Sequence, residues 1–224
     1  MKPRLLDLFS GAGGTAAGYV LAGFDVTGVD VKPQPRYLKS GATAFVQADA
    51  LEYLAEHGRK YDVIHASPPC QRYSVMSRMM RTKAPDMVGA VREALARAGL
   101  PSVIENVEGA PLSAPLMLCG TMFGLRVRRH RIFELSPHIL VLTPPCACRL
   151  GVVTGRLIGH RTGGRVRAGR TRPPAATESA RRDAIGVPWM TAREARQAIP
   201  PAYTFFIGRQ LYRLVTNENP DTPR

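Results

Sequence analysis

Short apolar runs alternate with longer amphipathic stretches from the N-terminus to about residue 135. Leu5-Leu6-Asp7-Leu8-Phe9 is the first run, and its shortness predicts a strand. Ser10-Gly11-Ala12-Gly13-Gly14 then turns the chain, and a helical pattern runs from Thr15 to Ala22. Phe24 to Val29 predicts a second strand ending at Asp30, and Thr43-Ala44-Phe45-Val46 a third. A helix from Ala50 to Glu56 follows, with Asp49 placed to cap it. Tyr61-Asp62-Val63-Ile64-His65-Ala66 is short, partly β-branched and stops at Pro68-Pro69, the pattern of a buried strand. From Met87 to Ala98, Val88, Val91 and Leu95 share a helical face, with Asp86 as its cap and Gly99 at its end. Pro101 to Ile104 predicts a fifth strand and Leu116 to Phe123 a short helix. Val127 to Leu135 predicts a strand with Arg129 and Arg131 on one face and Ile132 and Glu134 on the other. Later, Thr191 and Glu194 have capping-box spacing and open a helix to Ala198, which Pro200-Pro201 ends. Tyr203 to Val215 predicts a final amphipathic helix.

Strands alternating with helices point to an α/β chain with a doubly wound sheet. Residues 1–136 read as its core, and the composition then changes. No Asp or Glu occurs between Glu134 and Glu178, while Arg149, Arg156, Arg161, Arg165, Arg167, Arg170 and Arg172 fall in a glycine-rich stretch. Residues 137–182 therefore read as a small basic insertion, 183–216 as helices completing the core, and 217–224 as a frayed tail. Lys plus Arg number 31 against 17 Asp plus Glu, a net charge of +14 that suits a polyanion such as nucleic acid. No apolar run of about 18 residues is present, so no membrane span is expected. A visible signal peptide is also lacking, and four unevenly placed cysteines make no disulfide framework. These features point to a reducing, cytoplasmic setting.

Three features carry candidate chemistry. The glycine turn between a strand and a helix lets a nucleotide-like ligand approach backbone amides at the helix start. Asp30, at the tip of the second strand, suits a ribose or a turn cap; Asp49 suits an exocyclic amine, a helix cap, or both. Cys70 follows Pro68-Pro69 at the carboxyl end of a strand, where an open α/β sheet binds its ligands. The polar, basic segment from Arg72 to Lys83 reads as a loop able to close over a substrate. His138, Cys146, Cys148 and His160 raise the question of zinc. The Cys-x-Cys spacing is tighter than usual and the histidines are irregular, so no metal is expected. Cys119 reads as a core residue.

Taken in order, Asp7-Leu-Phe-Ser-Gly-Ala-Gly-Gly14, Pro68-Pro-Cys-Gln71, Glu105-Asn-Val107 and Arg129-His-Arg131, with a closing helix near Gly208, resemble the DNA cytosine-5 methyltransferases. The resemblance covers most of the chain outside the basic insertion. It implies the S-adenosylmethionine-dependent methyltransferase fold, a mixed seven-stranded sheet with helices on both sides, and S-adenosylmethionine as methyl donor. Asp7, Phe9, Ser10, Gly11, Gly13, Asp30, Asp49, Pro69 and Arg209 would surround the donor. Cys70 would be the nucleophile, Glu105 its acid partner, and Arg129 and Arg131 the pyrimidine contacts. Gln71, Ser74, Arg78 and Arg81, with Arg156, Arg161 and Arg165 of the insertion, would touch DNA. The expected protein is a monomer that modifies a flipped cytosine in a bacterial or phage-infected cell, in the manner of restriction-modification enzymes.

Three departures qualify that expectation. The insertion is short for a sequence-selecting region, which predicts a short or loose target site. Gly208-Arg209-Gln210 stands where the family has Gly-Asn-Ser, so a donor bearing a carboxylate, carboxy-S-adenosylmethionine, is a variant reading. Val127 stands where the family often has Gln. A tRNA cytosine methyltransferase and a catalytically silent DNA-binding relative remain as alternatives.

Overall fold

The computed structural model describes residues 1–69, 87–125, 127–139, 141–148, 153–154 and 177–218. Its strands are β1 (Arg4–Leu8), β2 (Asp25–Asp30), β3 (Ala44–Gln47), β4 (Val63–Ala66), β5 (Ser102–Asn106), β6 (Leu116–Leu118), β7 (Val127–Arg128), β8 (Arg131–Ser136) and β9 (Val153–Thr154). Its helices are α1 (Gly14–Leu21), α2 (Ala50–His57), α3 (Met87–Ala98), α4 (Glu178–Ile185), α5 (Ala192–Gln197) and α6 (Pro201–Thr216). Seven strands form one sheet in the order β3-β2-β1-β4-β5-β8-β6, and β7 pairs separately with β9. The first five strands are parallel, whereas β8 runs antiparallel to β5 and β6. The winding direction reverses between β1 and β4, so their carboxyl ends open a crevice there.

Strand periodicity sorts the core into two layers. Leu5, Val63 and Val103 join the cluster packed under α1 and α6. Their neighbours Leu6, Ile64 and Ile104 join the opposite cluster, with Ala50 and Leu54 of α2 and Val91 and Leu95 of α3. Asp7, His65 and Glu105 each stand two residues after a member of the first layer. They therefore project to the α1 side, and Asp7 and His65 are register partners. This places three buried polar groups at the carboxyl ends of adjacent strands.

Helix α6 lies directly on α1. A Cβ on Gly18 would sit 2.2 Å from the Pro201 carbonyl oxygen and 2.1 Å from Thr204 Oγ1. The Thr204 hydroxyl uses that closeness, donating to the Thr15 carbonyl at 2.9 Å. The expected caps form as well: Asp49 accepts from Leu51 and Glu52, and Thr191 and Glu194 close a reciprocal box.

Three expectations change. Leu116 to Phe123 is strand β6 followed by a 3-10 turn rather than one helix. The run from Val127 to Leu135 is interrupted, because Arg129 and His130 leave the strand between β7 and β8. Tertiary partners account for the break: the Tyr203 hydroxyl donates to the Arg129 carbonyl, and the Arg129 guanidinium donates to the Arg196 carbonyl at 2.9 Å. The border drawn at residue 182 falls inside α4, whose Ile185 is buried against Ala12, Val187 and Met190. The expected Asp86 cap, the loop from Arg72 to Lys83 and most of the basic insertion lie outside the described residues.

Candidate active site

The glycine turn after β1 forms one wall of the crevice. Phe9 has φ 57°, an uncommon left-handed value for a non-glycine residue, and starts the reversal. Gly13 caps α1 at φ 87°, and any Cβ there would press on Ser40 and the Tyr37 carbonyl. Gly11 differs, because none of the described residues lies within 4 Å of where its Cβ would be, which leaves that side of the turn open among them. Ser10 is buried, yet its hydroxyl has no partner among the described residues. The Trp189 indole donates to the Ala12 carbonyl at 3.1 Å and ties the turn to the segment before α5.

Asp30 stands beside this turn. One carboxylate oxygen accepts from the Gly11 amide at 3.0 Å and the other from the Lys32 amide at 2.9 Å. The carboxylate is thereby fixed in direction, and its remaining lone pairs are available to a diol. Both cap bonds at Asp49 land on Oδ1, and the residue is exposed at the end of the neighbouring strand. Turn, Asp30 and Asp49 thus follow one another along the carboxyl edge of β1, β2 and β3.

Two of the expected donor contacts are not brought to this crevice. Asp7 has no exposed surface and accepts from the Tyr37 hydroxyl at 3.1 Å inside the core. Burial, opposed by that hydrogen bond, holds its carboxyl well above the ordinary range. Asp7 projects to the α1 side, where the Tyr37 ring covers it. Arg209 follows Gly208, which packs on Ala22 and Tyr19, whereas the start of α1 at Gly14 faces Ile199. The two helices run side by side in the same direction. Arg209 is therefore ~12 Å along the axis from the glycine turn, with its guanidinium over the Phe205 ring.

A second set of residues gathers at the ends of β4 and β5. Glu105 is buried, and Arg131 Nε lies 3.1 Å from its Oε1. Burial raises the Glu105 pKa, against the opposing pull of Arg131, a Ser67 hydrogen bond and Arg129. Ser67 Oγ is also 2.9 Å from His65 Nε2, and His65 Nδ1 is 2.9 Å from the Tyr19 hydroxyl. Burial lowers the His65 pKa to about 3, so the ring is neutral. When Glu105 is ionised it only accepts, and the string then has one consistent direction. Tyr19 donates to Nδ1, Nε2–H donates to Ser67, and Ser67 donates to Glu105. His65, Ser67 and Tyr19 escape sequence reading because they meet only when β1, β4 and α1 are assembled.

The turn after β4 is held against this acid. Asn106 Nδ2 donates to the Pro68 carbonyl at 3.1 Å, and its Oδ1 accepts from the Val107 amide at 2.9 Å. Pro68 is buried and Pro69 exposed at the crevice end of the strand. Arg129 is buried beside this set, one residue from His130. Cys70, Gln71, Ser74, Arg78 and Arg81 lie outside the described residues, as do Arg156, Arg161 and Arg165.

No known family profile matches the chain. It is 30% identical over 128 residues to the type II methyltransferase M.AquIA of Picosynechococcus sp. (strain ATCC 27264 / PCC 7002 / PR-6), covering 49% of this chain and 50% of that protein. It is 35% identical over 97 residues to the type II methyltransferase M1.HphI of Haemophilus parahaemolyticus, covering 38% and 26%. The chain thus spans half or less of the length of these curated relatives. Among solved structures, the Dnmt2 methyltransferase of S. pombe is similar with a TM-score of 0.47 at 21% identity, over 60% of this chain and 49% of that one.

Proposed function

We propose that this chain, a relative of type II methyltransferases over about half its length, transfers a methyl group from S-adenosylmethionine to carbon 5 of cytosine in DNA. The observation that carries the proposal is the buried Glu105–Arg131 pair at the end of β5, beside the Pro68-Pro69 turn that leads into Cys70. The seven-stranded sheet with its antiparallel β8 is the S-adenosylmethionine-dependent methyltransferase fold.

S-adenosylmethionine supplies a methyl group made electrophilic by its sulfonium. The residues present suit it: the open side of Gly11, the buried Ser10 hydroxyl, partnerless among the described residues, and the oriented Asp30 carboxylate stand together at the crevice. Phe9 and Gly13 shape that turn, Asp30 would accept from the ribose hydroxyls, and Asp49 from the adenine amine. Pro69 would border the methionine end.

Carbon 5 of cytosine is a poor nucleophile. Cys70 changes that when its thiolate adds to carbon 6, since a thiolate forms near neutral pH and also leaves readily. Addition drives negative charge toward ring nitrogen 3 and the ring carbonyl. Glu105, whose raised pKa keeps a proton available, donates to nitrogen 3. Arg131 stabilises the charge at the carbonyl, with Arg129 behind it. Carbon 5 then takes the methyl group. A base removes the carbon 5 proton, nitrogen 3 returns its proton to Glu105, and the thiolate departs as the ring double bond re-forms. The Tyr19–His65–Ser67 string keeps Glu105 oriented through these changes. The target base must leave the duplex to reach such a site. The net charge of +14 supports a polyanionic substrate, for which the arginines of the insertion and Gln71, Ser74, Arg78 and Arg81 would supply contacts.

The test uses labelled donor with duplex DNA or hairpin RNA, followed by digestion to nucleosides. Label in 5-methyldeoxycytidine is the expected result. Label in N4-methylcytosine or N6-methyladenine overturns the cytosine-5 reading, and label in RNA alone overturns the DNA substrate.

A further inference from the structure

Outside the crevice, four side chains with metal-ligand chemistry converge. Cys119 Sγ, His130 Nε2, Cys146 Sγ and Cys148 Sγ all lie within 4.8 Å of one another. Cys119 and Cys148 sulfurs are 3.3 Å apart, His130 Nε2 is 2.9 Å from Cys148 Sγ, and it is 3.6 Å from Cys146 Sγ. Cys146 and Cys148 are in direct sulfur–sulfur contact as a disulfide. We propose that these residues form a closed Cys3His site for a zinc ion, with Cys146 and Cys148 as thiolates.

Several observations favour a metal over an isolated disulfide. A disulfide uses two of the four groups and does not account for the convergence of the buried Cys119 thiol and His130 Nε2 on the same two sulfurs. A zinc ion uses all four; tetrahedral bonds of the usual length hold such donors about 3.5–3.8 Å apart. The contact of 3.6 Å already fits, those of 2.9 and 3.3 Å would open slightly, and the Cys146 and Cys148 sulfurs would part, bonded to the metal as thiolates and not to each other. The outer contacts are those of a metal site as well. Glu108 Oε2 lies 3.1 Å from His130 Nδ1, which fixes the tautomer that leaves Nε2 free to ligate. The Thr121 hydroxyl donates to Cys119 Sγ at 3.4 Å, lies 3.7 Å from Cys146 Sγ, and accepts from the Ala147 amide at 3.1 Å. That hydroxyl offsets thiolate charge and pins the Cys-x-Cys hairpin. On binding, the three thiols release their protons to solvent as the zinc–sulfur bonds form.

The site joins the paired β6–β8 edge of the sheet to the segment that holds Cys146 and Cys148. Cys119 follows β6, His130 sits between β7 and β8, and Cys146 and Cys148 lie within the first part of the basic insertion. His130 also stands between the two arginines of the candidate active site. Its carbonyl accepts from Arg131 Nη1 at 2.7 Å, and Arg131 reaches Glu105. A zinc ion here would therefore fix the arginine pair from behind while anchoring the insertion. With four protein donors it leaves no open position for catalysis. The sequence expectation of no metal weighs Cys146 and Cys148 with His138 and His160, and does not bring in Cys119 and His130, which are distant in the chain.

The test measures metal in the intact protein, purified from zinc-supplemented cells in chelator-free buffer, and needs no knowledge of its substrate. The expected result is about one zinc per chain. Replacement by cobalt(II) should give sulfur-to-cobalt charge-transfer bands and the intense visible bands of a tetrahedral site. C119S and C148S should lose the metal, H130C should keep it, and Glu108→Gln should weaken zinc affinity by about tenfold to a hundredfold. Metal-free wild-type protein that gives no such cobalt spectrum would overturn the proposal. So would a Cys146–Cys148 disulfide in protein alkylated before lysis, read by mass spectrometry.

Discussion

His65 sits in the sheet with no exposed surface, bonded at both ring nitrogens, and burial lowers its pKa to about 3. The unfolded chain takes up a proton there near pH 6.5, whereas the folded chain does not. The neutral ring thus contributes stability that is complete above pH 6.5 and is lost as pH falls toward 3. The loss from this group is about 1.4 kcal/mol per pH unit within that window. His65→Gln should flatten the acid limb of stability measured by urea unfolding between about pH 6.5 and 4; an unchanged slope would exclude His65 as its source. Glu105 has the opposite sense, since burial keeps it protonated to higher pH. Where its proton is the one used, kcat should fall as pH rises through that raised pKa. Glu105→Gln should lower kcat by about 10²–10⁴-fold and remove that alkaline limb in steady-state assays. Glu105 and Arg131 were legible in the sequence because they occur in short motifs. Asp7, also expected at the donor, is fully buried against Tyr37, a depth that a motif does not reveal.

At the scale of elements, the strands and helices of the first half were legible because each apolar run has one period and a clear stop. The Pro68-Pro69 turn, the Asp49 cap and the Gly99 terminus all fall where local chemistry dictates. The failures have a common cause in tertiary contacts. Alternation continues through Arg129 and His130, but Tyr203 and Arg196 capture Arg129 and pull the backbone out of the strand. The run from Leu116 to Phe123 was too short for periodicity to decide between strand and helix. The α1–α6 contact offers a direct test of packing. Gly18→Ala would force a methyl group to 2.2 Å from a backbone oxygen, so the helices must separate. Unfolding should show a loss on the order of 1–3 kcal/mol; wild-type stability would contradict the close contact.

For the whole molecule, charge and architecture divide the work. The sheet sets the crevice, and the excess of 14 positive charges offers long-range attraction to a polyanion. DNA affinity should therefore fall steeply with salt, with log K declining linearly in log salt by about 0.9 per phosphate contacted. Affinity that is flat with salt in fluorescence anisotropy would contradict that role. Among the described residues no helix is long and apolar enough to cross a membrane. The cooperation of crevice, buried acid and nucleophile is tested most directly by a covalent trap. Duplex DNA carrying 5-fluorocytosine offers no removable proton at carbon 5, so an enzyme that attacks through Cys70 stays bonded to it after methyl transfer. The account predicts a denaturant-resistant protein–DNA adduct that requires S-adenosylmethionine and is absent in Cys70→Ser. Methyl transfer to ordinary DNA without any such adduct, or an adduct that persists in Cys70→Ser, would contradict it.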